Sequence, residues 1–295
     1  MKTLEILQTP ELRAIYLDAL LAGLPVTIMG GVLSVLAVVK RLGFAGQGIS
    51  HSAFGGVGIA AMLLAVGLLP ESEPWAAPAQ FAVIVLFCLA ASWGIGLLSH
   101  RRTLPVDTAI GVFLAGSMAG GAILVQVARE VANERGRVGL VQSWESILFG
   151  AIVGAGTADV ALAWIVAAMV LGALWWHRRR LLFWAFDEES ARAFGMPAVP
   201  VRLLAMSVLA VAIVTAMKLM GVILATALLA LPGATALRVA SRITTVLLAS
   251  MLAAVTGLIG GLVLSVETDW PAGPSIVVVL AATFALACAV PRRLT

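Results

Sequence analysis

Apolar stretches long enough to cross a bilayer follow one another along almost the whole chain, and that succession leaves few folds open. About 20 apolar residues span a hydrocarbon core, within a range of about 17 to 25. Such stretches lie at 15–39, 48–69, 79–99, 106–128, 157–176, 201–217, 219–238, 243–266 and 272–290. Residues 201–238 form one long apolar run broken by Lys218 and Gly221, so the count is eight or nine. The piece "SILFGAIVGAG" from Ser146 is too brief to span and is read as re-entrant or interfacial. The chain is 61% hydrophobic and 12% charged, against about 25% charged in a soluble domain. The expected fold is an all-α integral membrane protein. It is a polytopic bundle of eight or nine helices forming one transmembrane domain over 1–295.

Charge sets the expected orientation. Placing Lys40 and Arg41 on the cytoplasmic side and alternating from there puts thirteen of the 19 lysines and arginines inside, as the positive-inside rule asks. The outside loops instead collect Glu71, Glu73, Glu130, Glu134, Glu267 and Asp269. These acids either line a cation vestibule or are simply solvated. Nine crossings would then leave the amino end outside and the carboxyl end inside. The net charge of +4 marks sidedness and gives no ground for a nucleic-acid partner. Trp75, Trp144, Trp175, Trp176, Trp184 and Trp270 sit near segment ends, where an aromatic belt belongs. Cys88 and Cys288 lie in apolar runs and read as buried thiols, neither a disulfide nor a metal pair. The opening "MKTLEILQTPELR" lacks the apolar core of a cleavable signal, so the first span is expected to direct insertion.

Small-xxx-small pairs at Gly116–Gly120, Gly150–Gly154 and Gly257–Gly261 suit close helix packing in lipid. The longest inside loop, about 177–202, holds a short punctuated helix in "FDEESARAFGMP". Asp187 can cap its start, and Glu188 and Glu189 suit the positive end of the helix dipole. Gly195 can close it in the left-handed conformation, and Pro197 stops any continuation. The Ala191/Phe194 face needs either lipid or a soluble cytoplasmic partner to cover it. His100 and His177 adjoin arginines ("SHRR", "HRRR"), which favours headgroup contact over metal ligation.

The chain has no visible energy source of its own. Its three lysines follow Met1, Val39 and Met217, so no Gly-Lys pair for a phosphate-binding loop exists. Asp18, Asp107 and Asp159 fall near proposed helix ends, which argues against ion-coupled transport through mid-membrane acids. Neither His-Glu-x-x-His nor Gly-x-Ser-x-Gly occurs. The chain is therefore expected to be no enzyme, and any ATP hydrolysis belongs to a separate subunit.

Six segments in order then carry a resemblance. They are "VVKRLGFAGQGISHSAFGGVGIA", "LPVDTAIGVFLAGSMAGGAIL", "ILFGAIVG" followed by "AD", "FDEESARAFGM", "MGVILATALLALPGATA" and "LSVETDWPAGPSIVV". Together they resemble the membrane permease subunit of bacterial zinc/manganese ABC importers, the ABC-3 class. The resemblance runs from about Leu12 to Val290. It implies a multi-pass permease of the bacterial cytoplasmic (inner) membrane that pairs with itself. Two cytoplasmic ABC ATPase subunits and an extracytoplasmic metal-binding protein would be its partners. It assigns the helix bearing Asp187, Glu188, Glu189, Ala191 and Gly195 to ATPase coupling.

The same resemblance singles out His51. The family stretch usually reads Gly-Asp-x-x-Ser-His, with the acid and the imidazole four apart and so on one helix face. Here His51 is present, but the acid position holds Gln47. Glutamine keeps an oxygen ligand and loses the charge, which raises the barrier to a divalent ion in low dielectric. The cargo is read as a passing Zn²⁺ (or Mn²⁺) at His51 and Gln47, with no stably bound cofactor. Imidazole without a hard carboxylate tilts the choice towards zinc. Several alternatives stay open. His51 can be a packing residue that bonds a carbonyl, and another helix can supply a compensating acid. The cargo can be a metal chelate or a cobalamin-like compound, or the chain can be a non-transporting scaffold or sensor.

Overall fold

The computed structural model describes residues 9–69, 75–98, 105–137 and 152–289. Glu71, Glu73, His100, Arg101, Arg102, Trp144, Arg292, Arg293 and most of the segment from Ser146 lie outside them. Every regular element among the described residues is a helix. The helices are α1 (Pro10–Val39), α2 (Gly43–Ala65), α3 (Ala76–Leu98) and α4 (Val106–Glu134), then a 3₁₀ turn at Ile152–Gly154. After it come α5 (Thr157–Trp176), α6 (Arg178–Phe186), α7 (Glu188–Ala193), α8 (Ala198–Val239), α9 (Ile243–Thr268) and α10 (Ala272–Ala289). Eight of these are long and apolar enough to cross a membrane.

The sequence left the count at eight or nine, and α8 explains why. Its 42 residues would extend ~63 Å as one straight helix, about twice a bilayer core. Gly221 interrupts it with φ 83° and ψ 166°, a conformation only glycine adopts without strain. The pieces 198–220 and 222–239 are each about one core thickness long.

Two compact units divide the chain. The first comprises 1–43, 145–188 and 215–295, and the second 44–144 and 189–214. In the first unit, α1 runs antiparallel to α9: Gly23 faces Leu258, and Gly31 meets the backbone of Met251. The second half of α8 runs parallel to α1, with Gly30 against Leu228 and Gly233 against Ser34. Two buried hydrogen bonds lock these contacts. Ser34 Oγ accepts from the Gly233 N–H at 2.8 Å, and Ser250 Oγ donates to the Gly31 carbonyl at 2.7 Å. α9 and α10 are antiparallel, with Gly257 on Leu280 and Gly261 on the Ile276 backbone. In the second unit, α2 runs antiparallel to α3, where Gly56 meets Ile84 and Gly55 the ring of Phe87. It runs parallel to α4, where Gly48 meets Ile110 and Gly58 meets Gly121. Trp93 Nε1 on α3 donates to Ser207 Oγ on α8 at 2.7 Å.

Within each unit, ends that the charge rule assigns to one side lie together. Lys218 pairs with Asp159 at 2.8 Å, both on outside ends of their segments. Arg135 Nη1 and Arg137 Nη1 donate to the Ala65 and Leu64 carbonyls at 3.1 and 3.3 Å. They cap the carboxyl end of α2, where a cation also suits the helix dipole.

Several expectations change. Of the three small-residue pairs, Gly257–Gly261 packs as expected, whereas Gly116, Gly120 and Gly154 have nothing near them; Gly150 lies outside the described residues. Trp184 is only 2% exposed, so it does not belong to an aromatic belt, unlike the exposed Trp75, Trp175, Trp176 and Trp270. Cys88 is buried, but Cys288 is exposed, and both are free. α4 continues to Glu134, so Arg129, Glu130 and Glu134 stand on a helix that the apolar pattern alone cut short. Asp18 lies two turns inside α1 and not at its end.

These close approaches make a test. A Cβ at Gly121 would collide with the Phe54 carbonyl, whereas one at Gly116 meets nothing. Gly121→Ala should therefore destabilise the purified protein by about 1–3 kcal/mol. Gly116→Ala should leave it unchanged, as read by thermal unfolding in detergent.

Candidate functional site

The stretch from Gly43 to Phe54 is helical throughout. α1 ends in a turn in which the Leu42 N–H donates to the Ala37 carbonyl at 2.7 Å, with Arg41 held at φ 56°. α2 starts two residues later, which puts Gln47 and His51 one turn apart on one face, as their spacing requires. That face is accessible only at its start. Phe44 and Gln47 are exposed and His51 is half-buried, while Phe54, Gly55 and Gly58 beyond it are buried. The glycines explain the burial, because they let α3 and α4 approach the α2 backbone.

The His51 ring lies nearly parallel to Phe54, 14° apart with centroids at 6.1 Å. Its Nδ1 is buried without a hydrogen-bond partner among the described residues. Buried polar atoms are nearly always satisfied, so this nitrogen marks a place where a ligand or a partner belongs. No carbonyl among the described residues meets Nδ1. The neighbouring Ser50 Oγ donates to the Gln47 carbonyl at 2.9 Å, and the exposed Gln47 side chain has no hydrogen bond among the described residues. One chain thus offers an imidazole and an amide oxygen on an open helix face. Among the described residues no cluster of three or more His, Cys, Asp or Glu stands ready to hold a metal ion.

The second predicted element divides. The loop holds two helices, α6 and α7. α6 was missed because "RRRLLFWAF" shows neither caps nor a breaker. Asp187 occupies the position before α7 in a non-helical conformation, φ −146° and ψ 88°. Gly195 closes α7 at φ 76°, with Met196 N–H to Ala191 O and Gly195 N–H to Arg192 O, both at 2.9 Å. This is the glycine closure expected from the sequence. The Ala191/Phe194 face does not act as one surface, however. Ala191 is 2% exposed and Phe194 is 82% exposed. Ala191 belongs to the interior, whereas Phe194 and Glu189 are exposed, as are Phe186 and Asp187 before them in the chain.

Glu188 also has a different job from its neighbours. It accepts from Lys40 Nζ at 3.0 Å, and the same ammonium sits 4.1 Å from the centre of the Trp184 ring. Lys40 thereby joins the end of α1 to the first residue of α7 and to α6. Neither Lys40 nor Trp184 stood out in the sequence as a functional residue. The basic pair signalled only sidedness, and pairings across such distances in the chain have no local signature.

The comparisons with known proteins agree with this architecture. A model of the ABC 3 transport family matches residues 13–291. The chain belongs to that family. It is 29% identical over 92% of its length to the manganese transport system membrane protein MntC of Halalkalibacterium halodurans, of which it covers 85%. It is 29% identical over 95% of its length to the high-affinity zinc uptake system membrane protein ZnuB of Haemophilus influenzae, of which it covers 99%. Among solved structures, a chain described as PsaBC from Streptococcus pneumoniae in complex with Fab superposes with a TM-score of 0.76. The identity is 28%, over 95% of this chain and 92% of that one. This ABC 3 chain is accordingly a multi-pass membrane protein of permease type.

The Lys40 junction gives a test that separates charge from packing. Lys40→Ala removes the ammonium that meets Glu188 and covers the Trp184 ring, which should loosen α7. Limited proteolysis between 182 and 196 should speed up by about tenfold, for a loss of ~1.4 kcal/mol in local opening. Lys40→Arg should restore protection, and equal protection in all three forms would remove the junction's role.

Proposed function

We propose that this chain is the membrane permease of an ATP-driven importer of divalent metal ions, with zinc favoured over manganese. The observation that carries the reading is the buried His51 Nδ1, unpartnered among the described residues, one helical turn from the exposed Gln47 at the start of α2. An imidazole nitrogen and an amide oxygen replace part of an ion's hydration shell, and with no carboxylate the site stays weak enough to release. Two chains related by a two-fold axis would offer two such pairs to one ion. The relatives named above carry manganese in one name and zinc in the other. The preference for zinc therefore rests on ligand softness alone: imidazole without carboxylate suits zinc better than manganese.

Energy comes from outside the chain in this reading. Two cytoplasmic ATPase subunits dock on the exposed surface of α7, through Phe194, Asp187 and Glu189. Ala191, Gly195 and the Lys40–Glu188 pair hold that helix in shape. An extracytoplasmic binding protein delivers the ion, and the permease works as a homodimer in the bacterial inner membrane. ATP-driven closure moves α7, and through Lys40 it moves the end of α1, which leads directly into the His51 helix.

The test is metal uptake by cells that carry the permease with its cognate ATPase and binding protein. His51→Ala should lower zinc uptake about tenfold or more, the equivalent of ~1.4 kcal/mol. Gln47→Asp should raise manganese uptake relative to zinc, because a hard anionic oxygen is restored. Unchanged uptake in both variants would make His51 a packing residue.

A further inference from the structure

We propose that the junction of α5 and α6 is a binding site for one anionic phospholipid, with its phosphate held by Arg179 and Arg180 and its acyl chains laid along α5. The segment Trp175–Arg180 lines an open concavity of about 510 Å³. Its wall contains two tryptophans, a histidine and three arginines, and no acid. The three arginines are not equivalent. Arg178 is already engaged: its Nη1 donates to the Trp175 carbonyl at 2.9 Å, and its guanidinium stacks 4.1 Å from the centre of the Trp175 ring. That stacking braces the wall. Arg179 and Arg180 are exposed and have no ion-pair partner among the described residues. Two neighbouring guanidiniums suit the anionic non-bridging oxygens of a tetrahedral phosphate diester.

The helix below the cations supplies the rest of the site. α5 buries Ala163, Val166, Ala167 and Val170 in its packing on α1. The opposite side exposes Trp164, Ile165, Met169, Trp175 and Trp176. Their spacing keeps them on one stripe along the helix, and the stripe runs straight into the concavity. Trp175 and Trp176, 68% and 83% exposed, stand at the depth where tryptophan belongs, between acyl chain and headgroup. An apolar stripe ending in unpaired cations has the polarity of a phospholipid turned inside out.

Two other occupants fit less well. A second copy of the chain brought to this surface by a two-fold axis would set its own arginines against these. A position on the ion pathway would place three guanidiniums against a divalent cation. Lipid is the occupant that complements both the charge and the stripe. The charge rule puts this junction on the cytoplasmic leaflet, where anionic headgroups attract basic segments. The inference does not depend on the metal reading, because the site touches neither His51 nor Gln47.

The test uses the full-length permease, delipidated in neutral detergent and titrated with phosphatidylglycerol or phosphatidylcholine, with bound lipid counted by native mass spectrometry. The native chain should retain phosphatidylglycerol in preference to phosphatidylcholine. Arg179→Gln and Arg180→Gln should each weaken that preference about fivefold, as expected for ~1 kcal/mol per cation at an anionic surface. Arg242→Gln, a cation assigned to the same side but on another helix, should change nothing. Equal retention of the two lipids would overturn the proposal, as would an unchanged preference in the double variant. Displacement of phosphatidylglycerol by inorganic phosphate at the same affinity would also overturn it, by showing a site for a free anion. If the double variant kept its lipid but lost the ATPase subunits on co-purification, the arginines would belong to a protein contact instead.

Discussion

Close approach of helix backbones through glycine is the interaction on which the rest of this structure depends. Between apolar helices in lipid there is no gain from hiding oily surface, so association rests on tight van der Waals contact and a few hydrogen bonds. Gly55, Gly56 and Gly58 bring α2 against α3 and α4, and Gly30, Gly31 and Gly233 bring α1 against α8 and α9. Where a backbone is that close, a serine hydroxyl reaches a main-chain group of the neighbouring helix, as Ser34 and Ser250 do. The same packing decides what stays open. α2 has glycine contacts from Gly48 onwards but none at Gly43, so its first turns keep a free face, and His51 stands at the boundary.

That boundary position gives the histidine its chemistry. A fully exposed imidazole would be satisfied by water, and a fully packed one would have to find a carbonyl. His51 is held against Phe54 with one nitrogen covered and unpaired. In the proposed ion site Gln47 would complete a pair of neutral ligands, which hold a divalent ion more weakly than an acid in that position would and so favour its release.

Several charges near the ends of segments join helices to one another. Asp159 and Lys218 tie the start of α5 to the residues just before the break in α8. Lys40 ties the end of α1 to Glu188 and Trp184. Arg135 and Arg137 close the end of α2. Ion pairs at such positions avoid the cost of charge in the apolar interior and still join helices that are far apart in sequence.

Much of this was legible before any coordinates. Span length, the charge rule and composition determine an all-α multi-pass protein, because lipid tolerates little else. The i, i+4 spacing of Gln47 and His51 places them on one face, and the Gly195–Pro197 punctuation places the end of α7, because both are local rules. Local rules failed where a third helix decides the outcome. Trp184 reads as an interfacial tryptophan until Lys40 covers its ring. Ala191 and Phe194 read as one apolar face until one turns inward and the other outward. Gly116 and Gly120 look like a packing motif, yet no described residue of the chain packs on them. Glu188 looks like its neighbour Glu189, yet only Glu188 meets a lysine 148 residues away. The sequence by itself determined which segments are helices and which residues share a helix face. The tertiary structure alone decided which faces are covered, because burial depends on partners brought from elsewhere in the chain, and sequence spacing carries no record of them.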